Sequence, residues 1–187
     1  MLKLGQSVPD GAQMPGWLTY DSVSKNVYIL VENQCSQATA FYISDIGSFE
    51  LLGQARTDDG DVHGILYGGS DGGSFLAMAG YYTSFITTFE LPLDQSSRGL
   101  LREHFRMSRP GPVKSRQDAP YPNAVVLDPT GRFLLVPDLG VDVIRNSSVD
   151  PDFGTLEDCR PAKTGDGDGP RHGTFYQTEG ASTTRMG

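Results

Sequence analysis

Arg171 and His172 stand side by side in a chain that holds 3 histidines. A guanidinium grips a carboxylate or phosphate with two parallel N–H groups. An imidazole changes charge near neutral pH and can move a proton to or from water. The pair therefore suits acid–base chemistry on an anionic substrate, with His172 as proton carrier and Arg171 as anion anchor. His63 and Asn123 each open an apolar run in the same way as His172. Asn123 cannot shuttle protons, but its amide can donate a hydrogen bond to a carbonyl. The candidate catalytic residues are thus His172 and Arg171, and the candidate substrate-binding residues are Asn123 and His63. Each has a structural alternative: packing or a surface ion pair for Arg171, a hydrogen-bonded strand-start histidine for His172, and a plain strand-entry residue for His63.

Other patterns carry less chemistry. Gly68-Gly69-Ser70-Asp71-Gly72 fits the G-x-S-x-G pattern, yet its flanks read as two strands, where a serine nucleophile needs a strand-to-helix elbow. A glycine-rich hairpin turn accounts for it better. Asp166-Gly167-Asp168-Gly169 resembles the opening of a calcium loop without the closing glutamate, and reads as a solvated loop. Cys35 and Cys159 lie far apart with no CxxC partner, so two reduced thiols are expected and no metal cluster is. Arg98, Arg102, Arg106, Arg109, Lys114 and Arg116 form a locally basic run, which reads as a solvated segment before it reads as a guide for anions.

The elements that must position these residues follow from composition and repetition. Glycine (23) and proline (12) make up about a fifth of the 187 residues, which suits short strands and tight turns and disfavours a helical bundle. The net charge of −8 opposes a phosphate backbone, so nucleic acid and anionic membranes are not expected partners. No apolar stretch is long enough to span a bilayer, and the amino end shows no signal-peptide pattern, which predicts a cytoplasmic protein.

Four segments repeat the same start: Trp17-Leu18-Thr19-Tyr20, His63-Gly64-Ile65-Leu66-Tyr67, Asn123-Ala124-Val125-Val126-Leu127 and His172-Gly173-Thr174-Phe175-Tyr176. In the first three a turn leads to a second apolar run: Val27 to Val31, Phe75 to Ala79 and Phe133 to Val136. A third run follows over Ala38 to Ile43, Ser84 to Leu91 and Val141 to Val149. Gly47-Ser48-Phe49, Gly99-Leu100-Leu101 and Gly154-Thr155-Leu156 then open a fourth. Four short antiparallel strands per unit make a propeller blade. The starts recur at intervals of 46, 60 and 49 residues, the long one stretched by a Pro- and charge-rich loop over Ser108 to Tyr121. The expectation is an all-β partial propeller in a single domain, with blades roughly at 17–60, 61–108 and 121–165 and the start of a fourth at 170–187. After Phe175 the sequence shows no second strand for that fourth blade. Open blade edges and apolar blade faces would favour self-association.

The third unit carries a more specific signal. The run from Gln117 to Gly140, with Ala124-Val125-Val126-Leu127-Asp128-Pro129-Thr130-Gly131-Arg132-Phe133 at its centre, resembles the lactonase family of seven-bladed propellers. Gly154-Thr155-Leu156 and Gly169-Pro170-Arg171-His172 match that family's Gly-x-Leu step and Gly-Pro-Arg-His turn, and the likeness spans most of Trp17 to Tyr176. The family includes 6-phosphogluconolactonase-like proteins and fungal 3-carboxy-cis,cis-muconate cyclases, some fungal members being secreted. The resemblance implies that Arg171 and His172 lie in the active-site cleft and that Tyr121 and Asn123 replace the two histidines of a Pro-His-Pro-His run. It also places a catalytic glutamate in the following blade, which this sequence does not reach.

On that resemblance the expected function is hydrolysis of an acidic lactone of the 6-phosphogluconolactone type, or cyclisation of a carboxymuconate. The substrate would be a small acidic lactone or carboxylate, with no metal and no organic cofactor demanded. The alternative is a catalytically inactive, truncated propeller that serves as a binding module or is a degenerate gene product. Asn123 and the absent glutamate favour that alternative; the Arg171–His172 pair favours the enzyme.

Overall fold

The computed structural model describes residues 14–32, 36–177 and 184–186, and all the regular structure among them is β. The first sheet holds β1 (Pro15–Asp21), β2 (Asn26–Val31), β3 (Gln37–Ile43) and β4 (Phe49–Arg56). The second holds β5 (Asp61–Tyr67), β6 (Phe75–Gly80), β7 (Phe85–Glu90) and β8 (Leu101–His104). The third holds β9 (Val126–Leu127), β10 (Phe133–Asp138), β11 (Val143–Val149) and β12 (Leu156–Lys163), and a two-stranded sheet joins β13 (Phe175–Gln177) to β14 (Thr184–Met186). Within each four-stranded sheet the strands lie in chain order and pair antiparallel, the meander of a propeller blade.

Side-chain chemistry at the turns sets these hairpins. In the β9–β10 turn the Asp128 carboxylate accepts hydrogen bonds from the N–H groups of Thr130, Arg132 and Phe133. Burial alone would raise its pKa, but the Thr130 hydroxyl and those N–H groups outweigh burial and hold the carboxyl below its ordinary value. The β1–β2 turn repeats the device, with Asp21 accepting from the Val23 N–H. At the Gly-x-Leu step, Gly154 has φ +66 and lies against the Phe75 ring, while its carbonyl accepts from the Tyr67 hydroxyl at 2.7 Å. Only glycine fits that turn and that contact.

The two cores lie between blades. Strand β6 shows the logic: Leu76 and Met78 point into the first blade, where Tyr28, Leu30, Ala38 and Ala40 meet them. Phe75, Ala77 and Ala79 point the other way, against Val125, Leu134 and Val136 of the third blade. The period of two along one strand thus serves two interfaces, and every residue of β6 is buried. Strands β2 and β5 approach closely because Gly64 has no side chain; a Cβ there would lie 2.4 Å from the Leu30 side chain. The Thr19 hydroxyl closes the seam on the Gly64 carbonyl at 2.7 Å.

Two expectations need correction. The first strand of the third blade is not continuous from Asn123: Pro122 bridges Asp138, and the ladder is taken up again only at Val126–Leu127. Between them the Val125 N–H turns to His63 of the neighbouring blade. The fourth unit does have a second strand: Thr184–Met186 pairs with Phe175–Gln177, a partner hidden in the sequence because it lacks an apolar run. In the 166–169 loop Asp166 and Asp168 are exposed, as expected of a solvated loop, and Asp142 anchors it by accepting from the Gly167 and Gly169 N–H groups at 2.8 Å each. Cys35 lies outside the described residues, whereas Cys159 is a free thiol.

At the start of β5, Asp61 is 1 % exposed and hydrogen-bonded by the Thr57 hydroxyl. Burial, aided by the charges of Asp58 and Asp59 and opposed by Thr57, pushes its pKa up from 3.8 to about 7. The folded chain therefore holds this proton more tightly than the unfolded chain, and stability falls as pH rises between those two values. The Asp61→Asn chain is expected to lose this slope and to melt higher than wild type at about pH 8. Thermal melts across that range would show it, and parallel profiles for the two chains would contradict it.

Candidate active site

The four residues that open the repeated first strands come to one end of the blades. Trp17 stands on β1 and His63 on β5, and their rings stack with centroids 3.9 Å apart and planes 29° apart. Asn123 lies just before β9, buried to 3 % exposure, with its N–H on the Pro137 carbonyl at 3.0 Å. Arg171 Nε donates to Asn123 Oδ1 at 3.4 Å, and the His172 ring lies 6.2 Å from the His63 ring. All four residues predicted from sequence, His63, Asn123, Arg171 and His172, are thus drawn into one cluster.

Two buried carboxylates hold the backbone that carries these groups. Asp138, fully buried, accepts from the Tyr121 N–H at 2.8 Å and the Gly140 N–H at 3.1 Å, and pairs with Arg145 at 2.8 Å. That fixes the strand entry two residues before Asn123. Asp142 anchors the turn that leads into Arg171 through Gly167 and Gly169, and it also accepts from Gln117 Nε2 at 2.7 Å. Burial would raise the Asp142 pKa, but those backbone donors, Gln117 and the nearby Arg116 charge bring it below the ordinary carboxylate value. Gln117, fully buried, ties the long loop over Ser108 to Tyr121 against Leu139. From the basic run, Arg102 pairs with Asp58 and Arg116 donates to the Gly167 carbonyl at 2.9 Å.

Electrostatics divides the two histidines. Burial, then the charge of His172, lowers the His63 pKa from 6.5 to about 4, so His63 is neutral at physiological pH. His172 is exposed to solvent. Beside Arg171 stands an aromatic wall in which Tyr81 stacks on Tyr121 at 4.6 Å. The Tyr121 hydroxyl donates to Asp118 at 2.7 Å, and that bond, then burial, pushes its pKa up to about 12. An anionic substrate held by Arg171 would have a neutral imidazole, a buried amide and an exposed imidazole around it. That set suits proton-assisted attack on a carbonyl. Among the described residues no three His, Cys, Asp or Glu side chains group as metal ligands. A cavity of about 100 Å³ lined by Glu103, Arg145 and Asp158 lies elsewhere, between the second and third blades.

Sequence reasoning passed over Trp17, although it heads the first repeat as His63 and Asn123 head theirs. Equivalence of position along the repeat was the signal. Asp138, Asp142 and Gln117 carried none, since they act through main-chain partners distant in sequence.

Comparison with known proteins agrees with this architecture. The family described as "Lactonase, 7-bladed beta-propeller" matches residues 3–182. A candidate 6-phosphogluconolactonase of Arthroderma benhamiae is 47 % identical over 72 residues, which is 38 % of this chain and 18 % of that protein. The crystal structure of a candidate 6-phosphogluconolactonase from Bacteroides fragilis superposes with a TM-score of 0.77 at 26 % identity, covering 87 % of this chain and 48 % of that one. The periplasmic gluconolactonase of Pseudomonas aeruginosa shares the fold, with a TM-score of 0.74 at 22 % identity over 92 % of this chain and 56 % of its own. The chain therefore spans about half the length of these solved relatives and less of the curated one.

Proposed function

The chain belongs to the seven-bladed lactonase propeller family, and from that premise we propose that it hydrolyses a small acidic lactone of the 6-phosphogluconolactone type at the cluster of His63, Asn123, Arg171 and His172. The observation that carries this reading is the convergence of Arg171, bonded to Asn123, with His172, 6.2 Å from His63. The two rings are close enough to contact one bound substrate.

Arg171 holds the substrate's phosphate or carboxylate. Asn123 spends its carbonyl on Arg171, which leaves its amide N–H groups to donate toward the substrate. Water attacks the lactone carbonyl while His172 takes the water proton, and the carbonyl π pair moves onto oxygen. When the tetrahedral adduct collapses, the ring C–O bond breaks and His172 returns the proton to the departing ring oxygen. The product is the open hydroxy acid, which ionises to its carboxylate. Names of the relatives favour hydrolysis over cyclisation of a carboxymuconate, which would run related bond-making with the same acid.

The direct test is turnover of 6-phosphogluconolactone by the purified chain beside Arg171→Ala. Turnover with a KM raised at least about tenfold in the variant supports the reading. A folded chain without turnover supports the inactive binding propeller instead. Asn123→Ala, which removes the Arg171 contact, is expected to raise KM severalfold with a smaller change in kcat; unchanged kinetics would remove Asn123 from the site.

Self-association belongs to the same proposal. The face of the first blade turned away from the second carries Leu18, 63 % exposed, and Tyr20, 55 % exposed. Light scattering on the purified chain is expected to give a mass above that of one chain; a monodisperse monomer would contradict it. Among the described residues no helix is long and apolar enough to cross a membrane. The free Cys159 thiol suits the reducing conditions of a cytoplasm, which cell fractionation would test.

A further inference from the structure

We propose that His63 is a neutral hydrogen-bond donor to the substrate carbonyl, its tautomer set by a main-chain N–H of the third blade and its ring plane by Trp17 of the first, and that it takes no part in proton transfer. The inference rests on the lactonase reading for the identity of the acceptor, but the tautomer stands on geometry alone.

Three blades meet at this one ring. The Val125 N–H donates to His63 Nδ1 at 3.4 Å, so Nδ1 serves as an acceptor and carries no proton. The ring proton then belongs on Nε2, which makes that atom the donor left for a ligand. Trp17 covers the ring face at 3.9 Å and fixes its plane. Val125 is fully buried, and its N–H would lose its acceptor if the ring turned away. The bond lies in the gap between the Pro122–Asp138 bridge and Val126–Leu127. Of the neighbouring titratable groups, His172 lies 6.2 Å away ring to ring, and Arg171 is held on Asn123. Burial, then the interaction with His172, disfavours the charged form of His63. A neutral imidazole aimed at a carbonyl stabilises the negative charge that develops there without exchanging a proton with it.

The test is nitrogen NMR of the intact chain labelled at histidine with nitrogen-15, paired with kinetics. His63 is expected to show an unprotonated Nδ1 and a protonated Nε2, unchanged from about pH 5 to 8, with the Nε2 signal moving when 6-phosphogluconate is added. A protonated Nδ1, or an imidazolium in that range, would overturn the proposal whether or not the chain turns over lactone. In Trp17→Leu the ring is expected to titrate closer to the ordinary value of about 6.5, and kcat to fall about tenfold. His63→Ala is expected to lower kcat about a hundredfold, and His63→Gln, which keeps an N–H donor but cannot act as a base, to recover part of the loss. Failure of glutamine to recover any activity would overturn the donor role. A wild-type chain with the expected tautomer but no lactone turnover would overturn the lactonase reading and the donor role with it, and leave the tautomer assignment standing.

Discussion

Replacing His172 with asparagine is expected to lower kcat for 6-phosphogluconolactone hydrolysis by about 10²- to 10⁴-fold, the usual contribution of a positioned acid–base group. His172 is the one imidazole of the cluster placed to move a proton, because His63 spends Nδ1 on the Val125 N–H and is kept neutral by burial. His172 is exposed and lies outside the two inter-blade cores, so the fold should survive the change. Arg171 would still hold the anion, and KM should therefore move far less than kcat. Steady-state kinetics with an unchanged thermal melt would give this result. A loss confined to KM would make His172 a binding group and move proton transfer elsewhere.

The second large effect is on folding. Asp138→Ala is expected to destabilise the chain by about 3 kcal/mol or more, because it breaks a buried ion pair from one side. Arg145, whose guanidinium lies 3.7 Å over the Phe105 ring, would lose its carboxylate, and the Tyr121 and Gly140 N–H groups would lose their acceptor. For a chain of this size that corresponds to a fall in Tm on the order of 10 °C. Asp138→Asn should lose less, since its carbonyl can still accept from those N–H groups. Asp138 also fixes the entry to Asn123, so the alanine chain should bind substrate more weakly even well below its melting temperature. A shift in Tm below about 2 °C would mean that the pair and its backbone donors are replaced by water at little cost.

The blades were legible because their signals are local. The blade turns carry their own Asp or Gly, and the strands their own apolar runs, so β6 and β7 could be read from Phe75 to Leu91 alone. The cluster was legible where position in the repeat repeats the geometry, which is why His63, Asn123 and His172 meet. Contacts between blades were not legible. The gap before β9 holds a bond between Val125 and His63, 62 residues apart, and the Arg171 turn is anchored by Asp142 reaching Gly169 across 27 residues. β14 escaped because Thr184-Arg185-Met186 has no alternating apolar pattern, and its pairing is set by the neighbouring strand β13.

On the proposed reading, residues opening successive blades assemble one anion-binding, carbonyl-activating site within this chain. Calorimetric titration with 6-phosphogluconate, the open form of the proposed substrate, tests it most directly. Saturable one-to-one binding is expected, weakened at least about tenfold in Arg171→Ala, the loss of a charge-assisted pair. Binding of equal strength to wild type and Arg171→Ala, or none to a folded wild-type chain, would contradict it.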